Sequence, residues 1–216
     1  MKLYIPEMKQ AFIVFLMLLL PVRESFAREP DMMFADLADY DASIIFDIRY
    51  ATTSNFTGKK VYPAARCLLR RDVAMRLLKV QEKLRAKGYR LIVFDCYRPL
   101  SVQKHFWAIL PDKRYVADPA EGSRHNRGAS VDVSLADSTG KPLEMPSGYD
   151  DFSEKATRGW TGSSATARRN CGLLDTAMKE EGFEPFSGEW WHFDAAGWEL
   201  YPVSDFPLEK TGGCEE

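Results

Sequence analysis

At 216 residues the chain has room for one domain with a substantial core and too little for two ordinary ones. Hydrophobic residues at 45%, charged residues at 28% and a formal charge of −2 exclude a disordered chain and a concentrated basic face, so nucleic acid is not an expected partner. The doublets Arg70-Arg71 and Arg168-Arg169 are too short to make such a face and read as solvated surface.

Residues 1–27 have the order of a signal peptide. Lys2 and Lys9 precede an apolar run from Ala11 to Leu20, and Ser25-Phe26-Ala27 places small residues at the cleavage position. The uninterrupted apolar run stops at Pro21, well short of the roughly 20 residues that span a bilayer, so no stable membrane anchor is expected after cleavage. Cleavage would remove Lys2, Lys9 and Arg23 with Glu7 and Glu24, leaving residues 28–216 as one mildly acidic domain, periplasmic or secreted. In that oxidising setting Cys67, Cys96, Cys171 and Cys214 allow three disulfide pairings, and no CxxC spacing suggests a cysteine metal site.

Along the mature chain the periodicity predicts a helix over 72–87, with Ala74, Leu77, Leu78 and Leu84 on one face, Asp72 able to cap its start and Gly88 its end. A short aliphatic strand over 90–94 follows and leads into Asp95-Cys96-Tyr97-Arg98-Pro99, where Pro99 can open a second helix through Phe106-Trp107. From Ser130 to Leu135 polar and apolar side chains alternate as in a strand, with Ser130, Asp132 and Ser134 on one face. A third helix is expected over 165–181, with Leu173, Leu174, Ala177 and Met178 inward and Gly182 ending it, and a last strand over 189–193. These elements predict an α+β single domain with a central, mainly antiparallel sheet that carries the chemistry and is flanked by helices.

The chain has three histidines, and two stand in informative places: His125 in Ser123-Arg-His-Asn-Arg-Gly-Ala-Ser-Val-Asp132, and His192 in Glu189-Trp-Trp-His192. A catalytic zinc takes three protein ligands and leaves a position for water, a count that His125, Asp132 and His192 satisfy. Gly128 would let the chain turn from the His125 loop into the Asp132 strand. Glu189 adds the base that a hydrolytic site needs, provided a bend near Trp190 and Trp191 overcomes the alternation that would otherwise part it from His192. His105 reads as a helix-surface residue, Trp190 and Trp191 as core and pocket wall, and Arg98 on its own could be an ion-pair partner of Asp95.

SRHNRGASVD followed by EWWH resembles the zinc D-alanyl-D-alanine dipeptidases, of vancomycin-resistance type, within the wider zinc D,D-peptidases. Further matching segments run in the same order: Arg49-Tyr50-Ala-Thr-Thr-Ser-Asn55-Phe56-Thr57-Gly58, Asp95-Cys-Tyr-Arg98-Pro99 and Tyr149-Asp-Asp151-Phe152, so the likeness covers about residues 40–205. It implies one zinc on His125, Asp132 and His192, Glu189 as catalytic base and Arg98 stabilising the tetrahedral intermediate. It also implies Tyr50, Ser123 and Asp151 as substrate-binding residues, with Asp151 meeting the free α-ammonium of D-Ala-D-Ala. Two departures stand out: Ser130 replaces a usual Ala, adding a hydroxyl whose burial without a partner would cost about 1–3 kcal/mol, and Cys96 stands where a small residue is common. The rival readings are a D,D- or L,D-carboxypeptidase of peptidoglycan stems and a zinc-bearing domain without catalysis. Asp151 and Asn55-Phe56-Thr57-Gly58 argue against the first, and intact Glu189 and Arg98 against the second. Nothing in the sequence sets the oligomeric state.

Overall fold

The computed structural model describes residue 1 and residues 30–209. The expected signal segment and Cys214 therefore lie outside the described residues. Strands β1 (Phe34–Asp36) and β3 (Leu68–Arg70) form a small antiparallel pair. The main sheet holds β2 (Ile45–Phe46), β4 (Tyr89–Asp95), β5 (Ser130–Asp137), β6 (Phe183–Pro185) and β7 (His192–Ala195) in the order β2-β4-β5-β7-β6. Only the β2–β4 pairing within it is parallel. Three helices complete the domain: α1 (Arg71–Ala86), α2 (Leu100–Ile109) and α3 (Ala165–Glu180). Among the described residues no helix is long and apolar enough to cross a membrane.

Periodicity explains the layering. Val73, Ala74, Leu77, Val80 and Leu84 of α1 and Leu174, Ala177 and Met178 of α3 are buried, and the two helices pack on each other and on the sheet. Val131, Val133 and Leu135 of β5 join the same core, which leaves Ser130, Asp132 and Ser134 for the opposite face by simple alternation. Helix α3 is capped as its sequence implies, with the Ser164 hydroxyl accepting the Ala167 N–H at 2.9 Å. Helix α1 differs: it begins at Arg71 without a side-chain cap, because Asp72 accepts the Tyr201 hydroxyl and faces Arg76 instead.

Two irregularities position the site. Between Val93 and Asp95 the β4–β5 register slips, which sets Asp95 opposite Asp132 before the chain leaves the sheet. The strand expected over 189–193 starts only at His192. Residues 190–191 turn instead, with the His192 N–H reaching the Glu189 carbonyl at 3.4 Å. Burial of Trp190 drives this turn, its backbone N–H donating to the Ala156 carbonyl at 2.9 Å and its indole N–H to the Ser147 hydroxyl at 3.0 Å.

Candidate active site

In the antiparallel β5–β7 pair, Asp132 stands opposite His192 and Ser130 opposite Asp194. Residues two apart on a strand share a face, so these four side chains form a square on one side of the sheet. His125 arrives from a 3-10 turn, His125–Arg127, that ends at Gly128 with φ of 69°. A Cβ there would lie 2.5 Å from the Phe34 ring, so both backbone angle and space demand glycine as the chain swings into β5.

The three expected ligands converge. His192 Nδ1 lies 3.0 Å from Asp132 Oδ1, His125 Nε2 lies 3.4 Å from the same oxygen, and the two ring nitrogens are 3.2 Å apart. Each remaining polar atom is committed elsewhere. His125 Nδ1 donates to the Cys96 carbonyl at 2.7 Å, His192 Nε2 donates to Asp194 Oδ1 at 2.9 Å, and Asp132 Oδ2 accepts the Tyr149 hydroxyl at 2.9 Å. Because a carbonyl and a carboxylate only accept, His125 Nδ1 and His192 Nε2 carry hydrogens, and the other nitrogen of each ring is turned toward the common point. Two imidazoles and a carboxylate, all buried, are the donor set that suits zinc.

The turn at residues 190–191 brings Glu189 round to the ligands, its Oε2 3.9 Å from His192 Nδ1. Burial pushes the Glu189 carboxyl up to about 6; Asp132 adds to that rise while His192, His125 and Arg98 oppose it. Across the cavity Arg98 is buried and doubly tied to Asp95, through Nε at 3.2 Å and Nη2 at 2.7 Å, while Nη1 donates to Gln103 at 2.9 Å. Asp95 is itself fixed by the Tyr62 hydroxyl at 2.8 Å and the Cys96 N–H at 2.9 Å. The Asp95 ion pair and a place in the cavity wall thus coexist, and one N–H on each terminal Arg98 nitrogen is left over.

Tyr50 and Ser123 also line the cavity, which encloses about 370 Å³, within the ~300–1,000 Å³ usual for small ligands. Asp151 does not. Its carboxylate accepts the Ser153 N–H at 2.8 Å in a local turn on the outside, and that hydrogen bonding holds it below the usual carboxylate range. The preceding residue takes the inward place. Asp150 adopts φ of 58°, alone among the described non-glycine residues in the left-handed region, and this turns its side chain into the cavity and sends Asp151 outward. Asp150 Oδ1 accepts the Tyr50 hydroxyl at 3.1 Å, whereas Oδ2 is buried with no hydrogen-bond partner among the described residues. Burial, reinforced by Asp132, pushes the Asp150 carboxyl up to about 7 against the pull of Tyr50 and Arg98.

Sequence reasoning missed Asp150, although it singled out the segment that holds it. It also missed Tyr149 on Asp132 and Asp194 on His192, whose signals lie in pairing rather than in any motif. Cys67 and Cys96 form a disulfide beside the site, and Cys171 is half-buried. His105 is exposed on α2, as expected.

The D-ala-D-ala dipeptidase family of M15 peptidases matches residues 31–207. A D-alanyl-D-alanine dipeptidase of Escherichia coli is 36% identical over 168 residues, which cover 78% of this chain and 87% of that protein. Another from Enterococcus faecium is 32% identical over 199 residues, covering 82% of this chain and 98% of that protein. Among solved structures, the vancomycin resistance D,D-dipeptidase VanXYg, in complex with a D-Ala-D-Ala phosphinate analogue, aligns with 76% of this chain and 66% of that one at 21% identity and a TM-score of 0.40. With a family match that runs through residues 31–207, and so through every candidate ligand and cavity residue described above, this chain belongs to the D-ala-D-ala dipeptidase family of M15 peptidases.

Proposed function

We propose that the protein is a zinc-dependent hydrolase that cleaves the dipeptide D-alanyl-D-alanine to two D-alanines. The observation that carries this reading is the grouping of His125, Asp132 and His192 with Glu189, Arg98 and the partnerless carboxylate oxygen of Asp150 around one cavity. Zinc, when bound by the three ligands, acts as a Lewis acid toward water and the scissile carbonyl. Glu189 takes the proton of the attacking water and delivers it to the leaving amine, a role suited to a carboxyl whose proton affinity lies near neutrality. The free N–H groups of Arg98 face the charge that develops on the carbonyl oxygen, and because Asp95 and Gln103 hold the guanidinium in place, little reorganisation is needed.

At the amine end, Asp150 and Tyr50 close the cavity. An α-ammonium is the natural partner for a buried carboxylate oxygen without a donor, and this supports a free dipeptide over the acylated termini that a carboxypeptidase of stem peptides accepts. Ser123, buried in the cavity wall with its hydroxyl accepting the His125 N–H, serves the other polar groups of the substrate.

Export is part of the same proposal. It is supported by the basic, apolar and small-residue order of residues 1–27 and by the Cys67–Cys96 disulfide, which persists in an oxidising compartment. N-terminal sequencing of the protein recovered from the periplasm or medium checks it, with cleavage after Ala27 expected and an intact Met1 contradicting it. For the activity, the decisive assay compares D-Ala-D-Ala, L-Ala-L-Ala and N-acetyl-D-Ala-D-Ala with zinc-loaded protein. Cleavage of the first alone is expected; preferential cleavage of the acetylated peptide would favour the carboxypeptidase, and none of the three the inert domain.

A further inference from the structure

Asp194 occupies a corner of the β5–β7 square outside the cavity lining, is buried, and gathers three contacts. Its Oδ1 accepts both His192 Nε2 at 2.9 Å and the Ser130 hydroxyl at 2.7 Å, and its Oδ2 accepts Arg124 Nη1 at 2.5 Å. Arg124 in turn lies over the Trp198 ring, 4.7 Å from its centroid. The arrangement joins two separate ligand-bearing segments, since Arg124 immediately precedes His125 and Asp194 follows His192 by two residues.

We propose that Asp194 is the positioning residue of the metal centre: with Ser130 and Arg124 it locks the His192 imidazole with Nδ1 toward the ligand point and ties β7 to the His125 loop. The inference rests on His125, Asp132 and His192 being the zinc ligands. An imidazole without a partner on its far nitrogen can flip about its terminal torsion, which turns a ring C–H toward the metal position, or change tautomer, which turns an N–H there. A carboxylate on Nε2 forbids both and makes Nδ1 a better donor. A buried carboxylate needs more than one partner to keep its own geometry, which gives the Ser130 hydroxyl its function: the place where an alanine would leave Asp194 one donor short.

Zinc affinity measured by chelator competition tests this apart from activity, on the intact protein and on Asp194→Asn, Ser130→Ala and His192→Ala. Asp194→Asn keeps the side-chain shape and should weaken zinc binding by about 10–100-fold, with Ser130→Ala showing a smaller loss in the same direction. With cobalt in place of zinc, the visible band of Asp194→Asn should shift, while that of the surface variant His105→Ala should not. Unchanged zinc affinity and an unchanged cobalt spectrum in a folded Asp194→Asn, as judged by the melt of the metal-free protein, would overturn the proposal. Should that variant fail to fold, Ser130→Ala decides, and wild-type affinity there overturns it. His192→Ala separates the two levels: its loss of zinc upholds the ligand set whatever Asp194 does, whereas wild-type zinc binding would remove the ligand set and the proposal together.

Discussion

Asp132 and His192 are a directly opposed cross-strand pair, Oδ1 to Nδ1 3.0 Å apart, so two of the three proposed metal ligands are set by the register of one antiparallel ladder. A slip of one residue in that ladder would send one of them to the helix-covered face. The third, His125, comes from outside the sheet and meets them only because Gly128 can turn the chain.

Removing either imidazole should therefore leave two donors, which hold zinc poorly. His125→Ala and His192→Ala are expected to lose both metal and activity, while Glu189→Ala keeps its zinc and loses roughly 10²–10⁴-fold in kcat. Metal analysis of the purified variants, with kcat for each, checks this; absence of zinc from Glu189→Ala would make Glu189 a ligand rather than the base.

The pH dependence follows from two half-buried carboxyls. Glu189 is raised to about 6 and Asp150 to about 7, and each must be ionised to act, so kcat/KM is full above these values and lost as pH falls through them. A cation on the neighbouring ligands favours both ionised forms, placing the limbs at or below these values. On the acid side log kcat/KM should approach a slope of two, and Asp150→Asn should reduce that slope to one. A wild-type profile that stays flat down to pH 4 contradicts both assignments.

How much of this was legible in the sequence depends on the range of the interaction. The scarcity of histidine and the strand alternation around Asp132 pointed to the three residues that converge, since both are local signals. Glu189 could be matched with His192 only by supposing a bend, and that bend is made by the burial of Trp190 against residues some 40 positions away in sequence, such as Ser147. Asp150 and Asp151 are adjacent and chemically identical, so composition cannot say which faces inward. The left-handed backbone at Asp150 decides it, and no glycine marks the spot. The partner that a buried Ser130 hydroxyl needs is Asp194, supplied by the β5–β7 register and by no local signal. Cysteine pairing is equally a matter of tertiary proximity.

The Cys67–Cys96 disulfide closes a loop of fewer than 30 residues beside the site, which in the chain-entropy account stabilises the fold by roughly 2–4 kcal/mol. It also holds the peptide whose carbonyl orients His125 Nδ1. Cys67→Ser should lower the melting temperature of the metal-free protein and weaken zinc binding by less than His125→Ala does. Full melting temperature and full affinity in that variant would show the bridge to be dispensable to both.

Asp150 gives the sharpest prediction about substrate choice. A carboxylate whose Oδ2 is buried without a donor gains most from a ligand that brings a positive charge, and an N-acetylated dipeptide brings none while adding bulk. Sites that leave their own buried polar group unpaired with the wrong ligand can discriminate by about 10⁴-fold or more. The ratio of kcat/KM for D-Ala-D-Ala over its N-acetyl derivative should be of that order in the wild type. In Asp150→Asn the charge is gone and the volume is kept, so the free dipeptide should be cleaved more slowly and the ratio should narrow by about 10²-fold or more. Asp151→Asn is the matched control, because the Asp151 carboxylate is engaged by Ser153 on the outer side of the turn and should leave the ratio within about threefold of wild type. Zinc content should be the same in all three proteins, which separates a lost ammonium contact from a damaged metal centre. The opposite pattern, with the ratio collapsing in Asp151→Asn and holding in Asp150→Asn, would return the amine contact to Asp151 and require the 149–152 turn to rearrange when substrate binds.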